Sequence, residues 1–234
     1  MISVIISTLD SERWLPASLA ALIPAAVDGL VREVIIADRG SVDNTLAIAD
    51  MTGAEIVTAP SSRALGLIAG AAAAKSAWLM FLPAAGVLTS GWEREAAAHM
   101  SGAGGGNGTV RTAAVFESAL EGGSVSVRLL ERADRAAHGA LGLKRSGGLL
   151  IAREHYAGIG GYRPLAEFED QDILRRIGRQ GLRRMRSKLS IAADLRGKDA
   201  RRSLGGIGRL ALYRIGGMAT GGRGSTASVD AAAR

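Results

Sequence analysis

Ala37-Asp38-Arg39-Gly40-Ser41-Val42-Asp43-Asn44-Thr45 is the stretch on which the fold turns. It follows the apolar run Glu33-Val34-Ile35-Ile36, so it reads as the end of a buried strand, with Asp38 at the carboxyl end. A tight turn at Gly40 comes next, and Ser41 or Asp43 supplies the cap of a following helix. A carboxylate at a strand's carboxyl end can accept hydrogen bonds from a base or a ribose. For Asp43, capping alone accounts for the residue.

On either side of this stretch the period of the apolar residues alternates between two and about 3.6. Strands are expected at 3–7, 33–37, 55–58 and 77–82, with helices at 11–22, 43–51 and 62–74 between them. That order predicts an α/β fold, a mainly parallel Rossmann-like sheet with helices on both faces. Ligands of such sheets lie at the carboxyl ends of the strands, so the chemistry is expected just after Ser7, Ala37 and Leu82. Further along, the pattern predicts a glycine-rich loop at 102–108, strands at 109–118 and 148–152, and helices at 125–138, 153–158 and 171–180. A broken basic helix is expected at 203–218, and the Gly/Ser/Ala-rich residues 220–234 read as disordered. The organisation expected is one domain over 1–200, a basic helical segment at 201–218 and a tail at 219–234.

Four segments carry a resemblance. Asp38, Gly40, Ser41, Asp43 and Thr45 match the Asp-x-Gly-Ser-x-Asp-x-Thr pattern of family 2 glycosyltransferases. Ile5-Ile6-Ser7-Thr8-Leu9-Asp10-Ser11-Glu12 resembles that family's opening segment. The chain is therefore similar to a small bacterial branch of the family, with a GT-A fold. The resemblance implies that Thr8, Glu12, Asp38 and Ser41 line the nucleotide end of a nucleotide-sugar pocket. Arg63, in Ser62-Arg63-Ala64-Leu65-Gly66, resembles the start of the family's donor-site helix, where an arginine can meet a phosphate. A plain surface arginine is the competing reading.

Phe168-Glu169-Asp170-Gln171-Asp172, after the turn Gly160-Gly161-Tyr162, resembles the family's acidic segment. The resemblance makes Asp170, with Glu169 as second choice, the base that deprotonates an acceptor hydroxyl in an inverting displacement. First-turn helix acids are the plainer reading.

Two departures concern the metal. Where the family's last metal-ligand acid is expected, Phe81-Leu82-Pro83-Ala84-Ala85-Gly86 places Ala85. The Mg²⁺ or Mn²⁺ that the family implies thus meets a degenerate motif, and no metal ligand is assigned. At Lys144-Arg145-Ser146, Ser146 replaces a second acid, and Lys144 and Arg145 are candidates to neutralise a donor diphosphate in the metal's place. A decayed site explains the same losses.

Composition narrows the partners. The 234 residues hold 29 Lys and Arg against 22 Asp and Glu, which suits anionic ligands or a solvated basic face. The absence of cysteine excludes thiolate metal sites and disulfides. No apolar run approaches the roughly 18 residues needed to span a bilayer. The expectation is a cytoplasmic protein, or one peripheral at the inner face of the membrane. Its partners would be a nucleotide-diphosphate sugar, a UDP-sugar first, and through the basic cluster Arg183, Arg184, Arg186 and Lys188 a lipid-linked acceptor or an anionic surface. No nucleic acid is expected. Two other readings stand beside the glycosyltransferase. One is an inactive GT-A-fold binding protein. The other is a sugar nucleotidyltransferase, against which the glycine-free Ser7–Arg13 counts.

Overall fold

The computed structural model describes residues 1–59, 62–102, 113–121 and 147–192. The expected helices at 125–138 and 203–218, residues 103–108 of the loop expected at 102–108, the tail, and Lys144, Arg145 and Ser146 lie outside the described residues, while Gly102 ends a helix rather than starting the loop.

β1 (Ile2–Thr8) is buried along its whole length, as its apolar run requires of a strand with a neighbour on each side. It pairs in parallel with β2 (Val31–Asp38) and with β4 (Trp78–Pro83), and β2 pairs in parallel with β3 (Glu55–Thr58). The registers Thr8↔Asp38 and Ser7↔Pro83 bring the carboxyl ends of these strands to one edge. β5 (Gly86–Leu88), β6 (Ala113–Glu121), β7 (Gly148–Ala152) and β8 (Leu182–Ala192) extend the sheet to the order β3-β2-β1-β4-β7-β6-β8-β5. In that extension β4–β7, β6–β7 and β5–β8 are antiparallel, while β6–β8 is parallel.

Both faces of the sheet are covered, and alternation along β1 separates the two cores. Val4 and Ile6 join Ile36, Met80, Leu82, Leu15 and Trp92 on one side. Ile5 joins Ile35, Phe81, Leu67, Ile173 and Leu174 on the other. Helix α4 (Arg63–Ala73) lies against the second face, capped by the Ser62 hydroxyl, which accepts from the Leu65 N–H at 3.3 Å. Its close approach needs a glycine. A Cβ at Gly70 would stand 2.6 Å from the Ile5 Cγ2, a stiff branch on a buried strand, whereas one at Gly66 would rest 3.5 Å from the Ser7 Oγ.

The expected helix at 11–22 is instead two short ones, α1 (Leu15–Ala20) and α2 (Ile23–Val27), each with proline in its first turn. Proline has no N–H to donate, so Pro24 starts a second helix rather than continuing the first. α3 (Thr45–Met51) and α6 (Arg153–Gly158) stand where the pattern places them. α7 (Glu169–Gly181) starts two residues early, and Gly178 at φ 75° interrupts it.

Three elements went unread. α5 (Trp92–Gly102) buries Trp92, Ala96 and His99, a stripe with one large apolar side chain. β5 has only three residues. β8 buries Leu182, Met185 and Leu189, a spacing foreign to a regular strand. The register shift between Val115 and Glu117 explains it, and Glu95 of α5 closes the irregularity by accepting from the Arg186 and Ser187 N–H groups at 2.7 and 2.9 Å. The basic cluster Arg183, Arg184, Arg186 and Lys188 is thus the exposed part of a paired strand.

Candidate functional site

At the carboxyl ends of β1 and β2 the two motifs meet. Asp38 is 1% exposed, and its carboxylate is fully used. Oδ1 accepts from the Thr8 hydroxyl at 2.8 Å and the Ser41 hydroxyl at 2.5 Å. Oδ2 accepts from the Gly40 and Ser41 N–H groups, both at 2.9 Å. A carboxylate offers about four acceptor positions, so this one is saturated by the protein. Burial alone would raise its pKa. The bonds from Ser41, Gly40 and Thr8 outweigh that and hold it below the ordinary value.

The loops after the two strands are stapled by the same residue types. Glu12 Oε2 accepts from the Asn44 backbone N–H at 3.0 Å and from its side-chain amide at 2.8 Å. Asp43 accepts from the Glu12 and Thr45 N–H groups, and the Ser11 N–H donates to the Thr45 hydroxyl at 2.7 Å. Asp10, at φ 46°, accepts from the Val42 N–H at 2.9 Å and donates its own N–H to the Ser41 hydroxyl at 3.0 Å. Thr8, Glu12, Asp38 and Ser41 are therefore together, as the sequence places them. Each also has a structural partner in the other motif.

The second cluster joins residues far apart in the chain. α4 follows β3, so Arg63 at its start stands at the carboxyl-end edge of the sheet. Its Nη1 bonds the Glu169 carboxylate at 2.5 Å and the Asp170 carboxylate at 2.9 Å. Burial works against the Arg63 charge, but Asp170, Tyr162 and Glu169 outweigh it and raise its pKa. The other Asp170 oxygen accepts from the Tyr162 hydroxyl at 2.8 Å. Side-chain exposure separates the two acids, at 11% for Glu169 and 37% for Asp170, so solvent reaches Asp170. The helix they start is entered through Phe168 at φ 66°. With Asp10 it is one of two non-glycine residues at positive φ among those described, and both border this edge.

Two residues that the sequence reasoning passed over also belong here. Arg39 lies in the electrostatic range of Arg63 and Glu169, and its Nε is buried with no hydrogen-bond partner among the described residues. Burial first, then the neighbouring Arg63, lowers its pKa. The Ser7 Oγ is likewise buried and unbonded among the described residues. Asp172, three residues after Glu169, is not part of the opening: it is 2% exposed and bound to Arg176 at 2.7 Å.

At the end of β4 stand Pro83, Ala84 and Ala85, and the Ala84 carbonyl accepts from the Ser18 hydroxyl at 2.7 Å. No side chain there can ligate a cation. No group of three or more His, Cys, Asp or Glu residues suited to a metal occurs among the described residues. The described residues at the end of β4 do not fit the divalent ion that the family pattern implies.

The family model described as "Glycosyl transferase family 2" matches residues 3–105, a span that runs from β1 to α5 and holds Thr8, Glu12, Asp38, Ser41 and Arg63 but not Tyr162, Glu169 or Asp170. Residues 3–105 are similar to glycosyl transferase family 2. Known structures extend the likeness through the rest of the sheet. Glucosyl-3-phosphoglycerate synthase from Mycobacterium tuberculosis, solved with Mn²⁺, UDP and glucosyl-3-phosphoglycerate, is 21% identical. That match covers 92% of this chain and 80% of the synthase, with a TM-score of 0.57. Residues 1–349 of S. aureus TarS are 14% identical, with a TM-score of 0.62, and the match covers 82% of this chain and 60% of that one. The same TarS fragment in complex with UDP-GlcNAc gives a TM-score of 0.60 at 13% identity, covering 82% of this chain and 58% of that one. At these identities the likeness shows the fold, and the fold is GT-A-like. No curated protein matches the chain in sequence. No helix among the described residues is long and apolar enough to cross a membrane.

Proposed function

We propose that this chain transfers a sugar from a UDP-sugar to an acceptor hydroxyl, with inversion at the anomeric carbon and Asp170 as the base. The observation that carries the reading is Asp170 itself. It is the solvent-reachable member of the acid pair, fixed on one oxygen by Tyr162 and on the other by Arg63 at the carboxyl-end edge of the sheet.

At rest each Asp170 oxygen already holds one partner, Tyr162 on Oδ1 and Arg63 on Oδ2. A donor diphosphate supplies a stronger partner for Arg63, because a guanidinium pairs with two phosphate oxygens at once. Drawing Arg63 to the donor frees Oδ2. The acceptor O–H proton then passes to Oδ2 as the acceptor oxygen bonds the anomeric carbon. The bond from that carbon to the diphosphate oxygen breaks, and UDP leaves with its electron pair. Thr8, Glu12, Asp38 and Ser41 form the nucleotide end. Cationic side chains, Arg63 among them, neutralise the diphosphate in place of the ion for which the end of β4 has no ligand. The exposed cations of β8 suit an acceptor carried on an anionic lipid.

A second reading is a nucleotide-binding protein without turnover. It is favoured by the protein partners already held by every Asp38 and Asp170 oxygen. The first test for both is thermal unfolding of the full chain with UDP, GDP, dTDP or CDP. Stabilisation by UDP should grow with its concentration, reaching about 2.7 kcal/mol at a hundred times its Kd. No shift with any of the four would dismiss both readings.

A further inference from the structure

Tyr162 closes the Gly160-Gly161-Tyr162 turn and bonds Asp170. Its surroundings give it more to do. The ring is 5% exposed and packs edge-on against Phe81 of β4, with centroids 4.9 Å apart. Tyr156 of α6 holds the backbone beneath it: the Tyr156 hydroxyl accepts from the Tyr162 N–H at 3.0 Å. The two glycines make this contact feasible. Gly160 and Gly161 adopt φ 76° and 58°, and a Cβ at Gly161 would stand 2.9 Å from the Tyr156 ring. The turn thus sets one phenol hydroxyl at a fixed place, 2.8 Å from Asp170 Oδ1. Burial first, and then the adjacent Asp170 charge, push the Tyr162 hydroxyl well above its ordinary pKa, so it stays protonated and donates.

We infer that Tyr162 is the positioning residue of the base. Its hydroxyl holds Asp170 Oδ1 so that, when Arg63 turns to the donor, Oδ2 remains directed at the acceptor hydroxyl. This rests on the transfer reading above. Arg63 and Tyr162 divide the work on one carboxylate. The arginine is the partner that leaves, being partly exposed and on another helix. The tyrosine is the partner that stays, since it is buried between β4 and α6. A base free to rotate about its last bond loses the near-attack geometry, and such misplacement is costly in rate rather than in donor affinity.

The test compares full-length wild type, Tyr162→Phe and Tyr156→Phe. Turnover of UDP-sugar, UDP affinity and melting temperature are measured for each. Tyr162→Phe keeps the ring and removes only the oxygen, so kcat is expected to fall about 10-fold or more while the Kd for UDP stays within about threefold. Tyr156→Phe loosens the same turn but leaves the Tyr162 bond to Asp170 in place, so kcat should fall less than in Tyr162→Phe. Equal losses in the two variants, or an undiminished kcat in Tyr162→Phe, would overturn the positioning role and leave the transfer reading standing. Absence of turnover in the wild-type chain would overturn both.

Discussion

Asp170→Asn is expected to lower kcat for sugar transfer by about 10²- to 10⁴-fold, the range that a positioned general base contributes. The variant is nearly isosteric. Its amide oxygen can still accept from the Tyr162 hydroxyl, so the local fold should survive. What is lost is the capacity to take the acceptor proton and the charge that pairs with Arg63. Because Arg63 keeps Glu169 as a partner at 2.5 Å, it is not stranded, and UDP affinity should stay within about threefold of wild type. Steady-state kinetics with the purified variant check both figures. Transfer that survives the substitution within threefold would remove Asp170 from the mechanism and direct attention to Glu169, the less exposed neighbour.

Asp38→Ala is expected to cost about 3 to 5 kcal/mol of stability at neutral pH, because four donors lose their acceptor together in a buried place. For a chain of this size that is a fall in melting temperature of roughly 6–20 °C. The pH dependence has a definite sign. The folded pKa of Asp38 lies below its unfolded value, so its contribution is fully present above the unfolded value near about 4. It is lost as the pH falls through the lowered folded value. Wild type and variant should therefore converge in stability in acid, and denaturant melts at several pH values check this. A carboxylate kept only for a ligand would behave differently: its removal would abolish nucleotide binding and leave the melting temperature unchanged.

These two residues also show what a sequence can reveal. The Asp38 turn was legible because most of its bonds are local: Gly40 and Ser41 donate to a carboxylate two and three residues back, and Gly40 takes φ 99°. Glycine, serine and aspartate at those offsets have few other uses. The cross-links between the two motifs, Thr8 to Asp38 and Ser11 to Thr45, follow from the parallel register of β1 and β2, which no local pattern states. The Arg63 bonds to Glu169 and Asp170 span more than a hundred residues, and nothing in either segment names the other. β8 was hidden for another reason. A bulge shifts its apolar residues out of alternation, so a half-buried strand looked like a basic stretch. The Tyr162 hydroxyl was overlooked because the turn's signal lies in its glycines.

We propose a nucleotide site that works although the end of β4 offers no carboxylate. Calorimetric titration of UDP into the full-length protein, first in EDTA and then with Mn²⁺ in excess, tests it most directly. The predicted result is saturable binding in EDTA, with a Kd that Mn²⁺ changes by less than about threefold, or 0.65 kcal/mol. Binding that is absent in EDTA and appears or tightens about 100-fold with Mn²⁺ would contradict it.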